Sequence, residues 1–201
     1  MIQELIETIK SGGSVVLPTE TVYGLFAQAL NEKAVDHVYQ LKQRSRVKAM
    51  NLNVADFDSI LTFSKDQPAY LKKLYDAFLP GPLTIILKAN DKVPEWINSG
   101  MSTVGFRLPN HPATVNIIKQ TGPLIGPSAN ISGKDSGKQL KDILVDFHHQ
   151  VIGYEDDQFL LGQDSTILDL SGDVAKILRQ GSLTKDDLLA KVPEIPFADN
   201  S

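Results

Sequence analysis

Residues 80–109 read PGPLTIILKANDKVPEWINSGMSTVGFRLP. Two apolar, β-branched runs, LTIILKA (83–89) and STVGFRLP (102–109), are parted only by VPEWI (93–97), which has the length of a turn or a single helical piece. Two strands in near succession break the strict strand–helix alternation of a regular doubly wound fold. Upstream, FDSILTF (57–63) and PAYLKKLYDAFL (68–79) carry helical patterns on either side of Lys65-Asp66-Gln67, with Pro68 placed where a helix can begin. Towards the amino terminus, MNLNV (50–54) and SVVLP (14–18) read as short strands. Two helices flank the second of these: one with Ile2, Leu5, Ile6 and Ile9 on its face, ended by Gly12-Gly13, and one capped by Asn31 and carrying Ala34, Val35, Val38, Tyr39 and Leu41. Downstream, HPATVNIIKQTG (111–122) and LKDILVDF (140–147) are helical and PLIG (123–126) leads a strand into a loop. VIGY, STILDL and AKILR are strands, and TKDDLLAKV (184–192) is a last helix with Thr184 and Asp187 in a carboxylate form of the capping box. The pattern predicts a single-domain α/β fold over residues 1–192, a twisted mixed sheet with packed helices, followed by a tail at 193–201 of which IPFADNS (195–201) reads as frayed.

The 201 residues favour one core over two. A 42% hydrophobic and 22% charged composition excludes a disordered chain, and 20 Lys+Arg against 24 Asp+Glu, a net charge of −4, excludes a bulk counterion-displacing nucleic-acid binder. Any basic site must be local. The absence of Cys removes thiol nucleophiles and Cys-based metal sites. Glu4 and Glu7 interrupt the start where a signal peptide needs an apolar stretch, and no run is long enough to span a membrane, so the expectation is a soluble, cytoplasmic protein.

The common site signatures fail. There is no GxxxxGK[ST] and no GxGxxG after a strand; Gly126-Pro127-Ser128-Ala129-Asn130 falls one glycine short of a nucleophile elbow; His37, His111, His148 and His149 have no ligand spacing, so no protein-held metal is expected. What remains is a series of polar clusters at strand ends. Pro18-Thr19-Glu20-Thr21-Val22-Tyr23-Gly24-Leu25 reads as a loop bearing hydroxyls, a carboxylate and a phenol. Lys42, Arg44, Arg46 and Lys48 make either a solvated helix end or a polyphosphate clamp. Arg107 ends an otherwise core-like strand and needs an anion, from an internal Asp or Glu or from a ligand. PSANISG with Ser136 and Gly137, then Asp164-Ser165-Thr166 and Arg179, add hydroxyls, backbone N–H groups and another cation. Together they suit a small, polar, anionic ligand.

PTETVYGL, Lys42-x-Arg44, PGPLTIIL, VGFRLPNHP, PSANISG, STILDL and ILRQG, in this order over residues 5–183, resemble the YrdC family of threonylcarbamoyl-AMP synthases. The length resembles its short, single-domain form. The resemblance implies a deep, positively charged concave site in which L-threonine, bicarbonate and ATP, accompanied by magnesium, give threonylcarbamoyl-AMP and pyrophosphate. Separate transfer proteins then carry the threonylcarbamoyl group to tRNA. It further implies that Thr21, Asn53, Arg107, Gly126 and Ser165 contact threonine, that Arg44, Lys48, Thr103, Ser128, Ser136 and Arg179 contact ATP, and that Lys42, Arg44 and Lys48 stabilise the reacting phosphates. Asn53 stands where many relatives have a His, and Ser45 where many have a Pro. A non-catalytic module with weak binding to double-stranded RNA or tRNA is the alternative reading; a carbamoyl-transfer domain of hydrogenase-maturation proteins is a further one.

Overall fold

The computed structural model describes residues 1–198. In chain order its elements are α1 (Ile2–Lys10), β1 (Val15–Leu17), β2 (Gly24–Gln28), α2 (Glu32–Lys42), β3 (Leu52–Asn53), α3 (Phe57–Phe63), β4 (Ser64–Lys65), α4 (Leu71–Phe78) and β5 (Leu83–Ala89). There follow α5 (Glu95–Asn98), β6 (Thr103–Arg107), α6 (Pro112–Thr121), β7 (Leu124–Ile125), α7 (Leu140–Asp146), β8 (Ile152–Gly153), β9 (Thr166–Asp169), β10 (Lys176–Arg179) and α8 (Lys185–Lys191). The strands form one mixed sheet in the order β10-β9-β5-β6-β3-β7-β2-β1-β8, with β4 added to the end of β5. The pairs β1–β8, β3–β6 and β5–β9 are parallel, whereas β5 and β6, the strands of the 80–109 stretch, pair antiparallel from Thr84↔Arg107 to Lys88↔Thr103.

Both faces of the sheet are covered. Along β1, Val15 and Leu17 join the cluster formed with Leu5, Ile6 and Ile9 of α1 and Ile117 and Ile118 of α6, while Val16 points to the larger cluster on the other side. β2 alternates in the same way, with Phe26 on the α1/α6 side and Leu25 and Ala27 opposite. Because each side chain is buried whichever way it points, GLFAQ reads as a plain apolar run. The loop inferred from the sequence over Pro18–Leu25 therefore ends at Tyr23, and a strand begins at Gly24.

Caps behave as the residue types dictate. Asn31 and Asp56 accept from the backbone N–H groups of Ala34 and Ser59, and Thr184 and Asp187 complete a reciprocal box. Pro68 does not open α4. Its carbonyl accepts from Leu71 N in a preceding turn, and the helix starts at Leu71. The tail is not frayed along its described length. Ile195 is buried, and Phe197 bridges in parallel to Ala175, whose N–H donates to the Pro196 carbonyl at 3.0 Å. The rest of the expected tail, 199–201, lies outside the described residues. Among the described residues no helix is long and apolar enough to cross a membrane.

Candidate functional site

Register builds the floor of a cleft. Asn53 of β3 lies beside Arg107 of β6, and Arg107 lies opposite Thr84 of β5, so three polar side chains from adjacent strands fall in one row. Asn53 and Thr84 are buried yet line the cleft, together with Thr19, Thr21, Arg44, Asn51, Gly126, Ser128, Asp164, Ser165 and Arg179. Among the described residues the Asn53 amide has no hydrogen-bond partner, although only 4% of the residue is exposed. Facing the cleft, the free donors and acceptor of this amide favour a polar ligand that supplies partners.

The anion that Arg107 requires is internal. Arg107 Nη2 pairs with Glu20 Oε1, Nε donates to the Gly81 carbonyl at 3.0 Å, and Nη2 also reaches Thr21 Oγ1 at 3.4 Å. Burial lowers the Arg107 pKa and the Glu20 carboxylate opposes that shift. Glu20 and Thr21 sit on a loop locked by Thr19, whose hydroxyl donates to Val22 O at 2.6 Å and accepts from the N–H groups of Thr21 and Val22. With the Thr19 proton so engaged, the 2.9 Å contact between the two threonine hydroxyls runs from Thr21 to Thr19.

A strap from the β8–β9 connection holds the loop from outside. Leu161 N and Gly162 N donate to the carbonyls of Glu20 and Thr21 at 2.9 and 2.8 Å. Tyr23 OH donates to Asp157 at 2.6 Å and accepts from Asp156 N; burial, and then Asp157, push its pKa above the ordinary phenol range. Asp156 is in turn tied to the buried His111, whose other ring nitrogen accepts from Ala113 N and caps α6.

The opposite wall is the 126–130 loop. Backbone bonds Leu25 N to Pro127 O and Ala129 N to Tyr23 O, both 2.8 Å, continue the β2–β7 pairing past the end of β7. A Cβ on Gly126 would lie 2.5 Å from the Phe26 ring and 2.9 Å from Asn53 Nδ2, so only glycine lets the strand end come this close. Beneath the loop Lys42 Nζ donates to the Ser128 carbonyl and, at 2.7 Å, to that of Asn130. Burial, helped by the Arg44 cation, lowers the Lys42 pKa to about 8. Arg44 lines the cleft while donating to the carbonyls of Lys48 and Ala49 at 3.3 and 2.8 Å.

At the third side, a register shift between Ile177 and Arg179 turns Arg179 inward, where Nε donates to Ser165 O at 3.0 Å and Nη2 to Ser165 Oγ at 3.2 Å. Ser165 Oγ lies 2.8 Å from Thr84 Oγ1, so a hydroxyl pair and a guanidinium form one chain of hydrogen bonds. Asp164, 3.8 Å from Arg179 Nη1, is the carboxylate among the lining residues.

Of the residues singled out in the sequence, Thr21, Arg44, Asn53, Arg107, Gly126, Ser128, Ser165 and Arg179 line this one cleft. Ser136 lies in a small adjoining recess with Thr21, Val22 and Leu160. Lys42 is under the floor of the loop rather than in the cleft, and Lys48 is an exposed residue whose carbonyl, accepting from Tyr39 OH and Arg44, has the structural part. Thr103 lies at the other end of β6, roughly 13 Å along the strand from Arg107, in a recess with Lys65, Lys88 and Ser171. Sequence reasoning missed Thr84, whose signal is a hydroxyl inside the apolar LTIILKA run, and left Glu20 unpaired. Among the described residues no three His, Asp or Glu side chains converge as a metal cage.

The Sua5/YciO/YrdC family, described as "Telomere recombination", matches residues 7–181. The chain is 34% identical over 189 residues to the threonylcarbamoyl-AMP synthase of Pyrococcus abyssi, covering 93% of this chain and 56% of that protein. It is 32% identical over 197 residues to the threonylcarbamoyl-AMP synthase of Bacillus subtilis, covering 96% and 57% respectively. The chain thus spans somewhat over half the length of these relatives. The crystal structure of P. abyssi Sua5 complexed with L-threonine superposes with a TM-score of 0.92 at 33% identity, over 98% of this chain and 58% of that one. With the fold matched from end to end and the family signature running through the cleft-lining loops, the chain belongs to the Sua5/YciO/YrdC family.

Proposed function

We propose that the protein is an L-threonylcarbamoyladenylate synthase, a nucleotidyltransferase that condenses L-threonine, bicarbonate and ATP to threonylcarbamoyl-AMP, pyrophosphate and water. The observation that carries this reading is the Asn53–Arg107–Thr84 floor flanked by the hydroxyls of Thr21 and Ser165. A guanidinium for a carboxylate, an unpartnered amide and a ring of hydroxyls match a small hydroxylated zwitterion, the chemistry of the ligand in the P. abyssi Sua5 complex.

The chemistry needs no protein nucleophile. The threonine amine captures bicarbonate as a carbamate, releasing water, or carbon dioxide, releasing a proton; a carbamate oxygen attacks the α-phosphorus, and the bond to the pyrophosphate oxygen breaks. The chain's part is orientation and charge stabilisation. Arg107, Asn53, Thr21, Ser165 and the Gly126 backbone hold threonine. Arg44, Arg179, Ser128 and the neighbouring Ser136 face ATP, and Lys42 acts on the phosphates indirectly, by fixing the backbone of Ser128 and Asn130. Lys48 and Thr103 reach ATP on this reading only if it extends beyond the cleft. Asp164, the carboxylate of the cleft, would be the residue to share a magnesium ion brought with ATP, which would supply charge neutralisation at the phosphates.

The product passes to transfer proteins that modify tRNA, in the cytoplasm. The rival RNA-binding reading has less support, because a cleft of hydroxyls and closely backed backbone suits a compact ligand better than a polymer. The test is pyrophosphate release from ATP and bicarbonate with threonine, serine or valine. Release selective for threonine is expected; no threonine dependence, with a steep salt dependence of RNA affinity, would overturn the reading in favour of the rival.

A further inference from the structure

We propose that Glu20 is a positioning residue for the substrate carboxylate, acting through Arg107: it fixes the guanidinium so that Nη1 is the edge offered to the cleft. The inference rests on the threonine reading above. The Arg107 and Glu20 side chains are only 11% and 9% exposed. Glu20 engages both oxygens, Oε1 with Arg107 Nη2 and Oε2 as acceptor for Asn110 N at 2.7 Å, while its own carbonyl accepts from Leu161 N at 2.9 Å. The residue is therefore held by the strap through its backbone, while its carboxylate is held from Asn110, just past β6, and from the guanidinium.

On Arg107, Nε is taken by the Gly81 carbonyl and Nη2 by Glu20 and Thr21; among the described residues no acceptor meets Nη1. Because a guanidinium is planar and rigid, fixing Nε and Nη2 fixes the direction of both Nη1 protons. Without Glu20 the charge would remain and the aim would be lost. The Glu20 charge also offsets the burial that disfavours the cation. The ligand class that follows is a carboxylate engaged from one nitrogen, with its second oxygen left to hydroxyl donors, and not a fork-to-fork pair.

The experiment compares Glu20→Gln, Glu20→Ala, Arg107→Gln and the double variant Glu20→Gln/Arg107→Gln. Threonine-dependent pyrophosphate release is measured with threonine and ATP varied separately. Glu20→Gln, which keeps shape and one acceptor, is expected to raise the threonine KM about 10-fold, and Glu20→Ala about 100-fold, with the ATP KM changed less than about twofold. In the Arg107→Gln background Glu20→Gln should add less than about twofold, because the path runs through the arginine. Parallel rises in both KM values, or effects of the two single changes that multiply, overturn the proposal.

A second readout needs no turnover. Nitrogen-15 spectra should show separate Arg107 Nη1 and Nη2 signals in the unaltered protein and one averaged signal in Glu20→Gln. An averaged signal in the unaltered protein overturns the positioning role even where turnover is normal. Separate signals without threonine dependence uphold the positioning and sink the threonine reading.

Discussion

Lys42 carries an ammonium group into the protein and meets it with two peptide carbonyls instead of a carboxylate. Its pKa of about 8 lies below the ordinary 10.5, so between these values the folded chain gives up a proton that the unfolded chain keeps. Stability then rises as pH climbs from 8 towards 10.5 and is lowest, from this residue, below 8. Denaturant unfolding at pH 7 and pH 10 should show that gain in the unaltered protein relative to Lys42→Met, which lacks it. Arg44→Ala is expected to slow pyrophosphate release by about 10²–10³-fold, the scale of one lost charge stabiliser. Near-normal release would remove Arg44 from the phosphate site. Arg107→Ala should weaken calorimetric threonine binding strongly and also cost roughly 3–5 kcal/mol of stability, since it strands the buried Glu20. At this scale the sequence displayed the residue types and not their partners. That Arg107 needed an anion was legible, but a cation on an apolar strand looks the same whether Glu20 or a ligand answers it. Lys42 in KQRSRVK likewise looks like its neighbours, and only the packing of α2 under the 126–130 loop sends it inward while Lys48 stays in water.

At the scale of elements, strands with one reading and helices with caps were legible, and the two-sided parts of the sheet were not. LTIILKA and TVGFR stood out because they are long and β-branched. GLFAQ, buried on both faces, shows no alternation, and its leading Gly24 reads as the end of a turn. The pinning of the 126–130 loop onto β2 was hidden for the same reason. It depends on Gly126, so Gly126→Ala must push against Phe26 and Asn53 and should cost about 1–3 kcal/mol while weakening threonine binding. Unchanged melting and unchanged affinity would mean that the wall is less tightly backed than its contacts imply. Thr184→Ala, by contrast, removes a box at the start of α8, whose two residues do not line the cleft. It should lower stability by about 1 kcal/mol and leave pyrophosphate release alone.

For the whole molecule, the carboxyl-terminal segment is part of the fold. A chain stopped after Val192 would lose buried Ile195 and the Phe197 bridge to Ala175. Burying a side chain of that size contributes about 1.5–3 kcal/mol, so the melting temperature should fall by roughly 3–12 °C; a melt that does not move would show the segment to be loosely held. The strand order has a consequence in time. β5 and β6 are interior strands of the sheet and their connection is local, but β5 acquires its other neighbour only from β9, and β1 its outer neighbour only from β8. The cleft draws Thr21 from near the beginning of the chain and Arg179 from near its end. At a synthesis rate of about 5–20 residues per second, the interval between them is roughly 8–30 s. For roughly 4–15 s of it, between the completion of β5 at Ala89 and the start of β9 at Thr166, a ribosome-bound chain carries an apolar strand with one edge open; the cleft is complete only once Arg179 has been made, and chaperone protection of the β5 edge belongs to that shorter window.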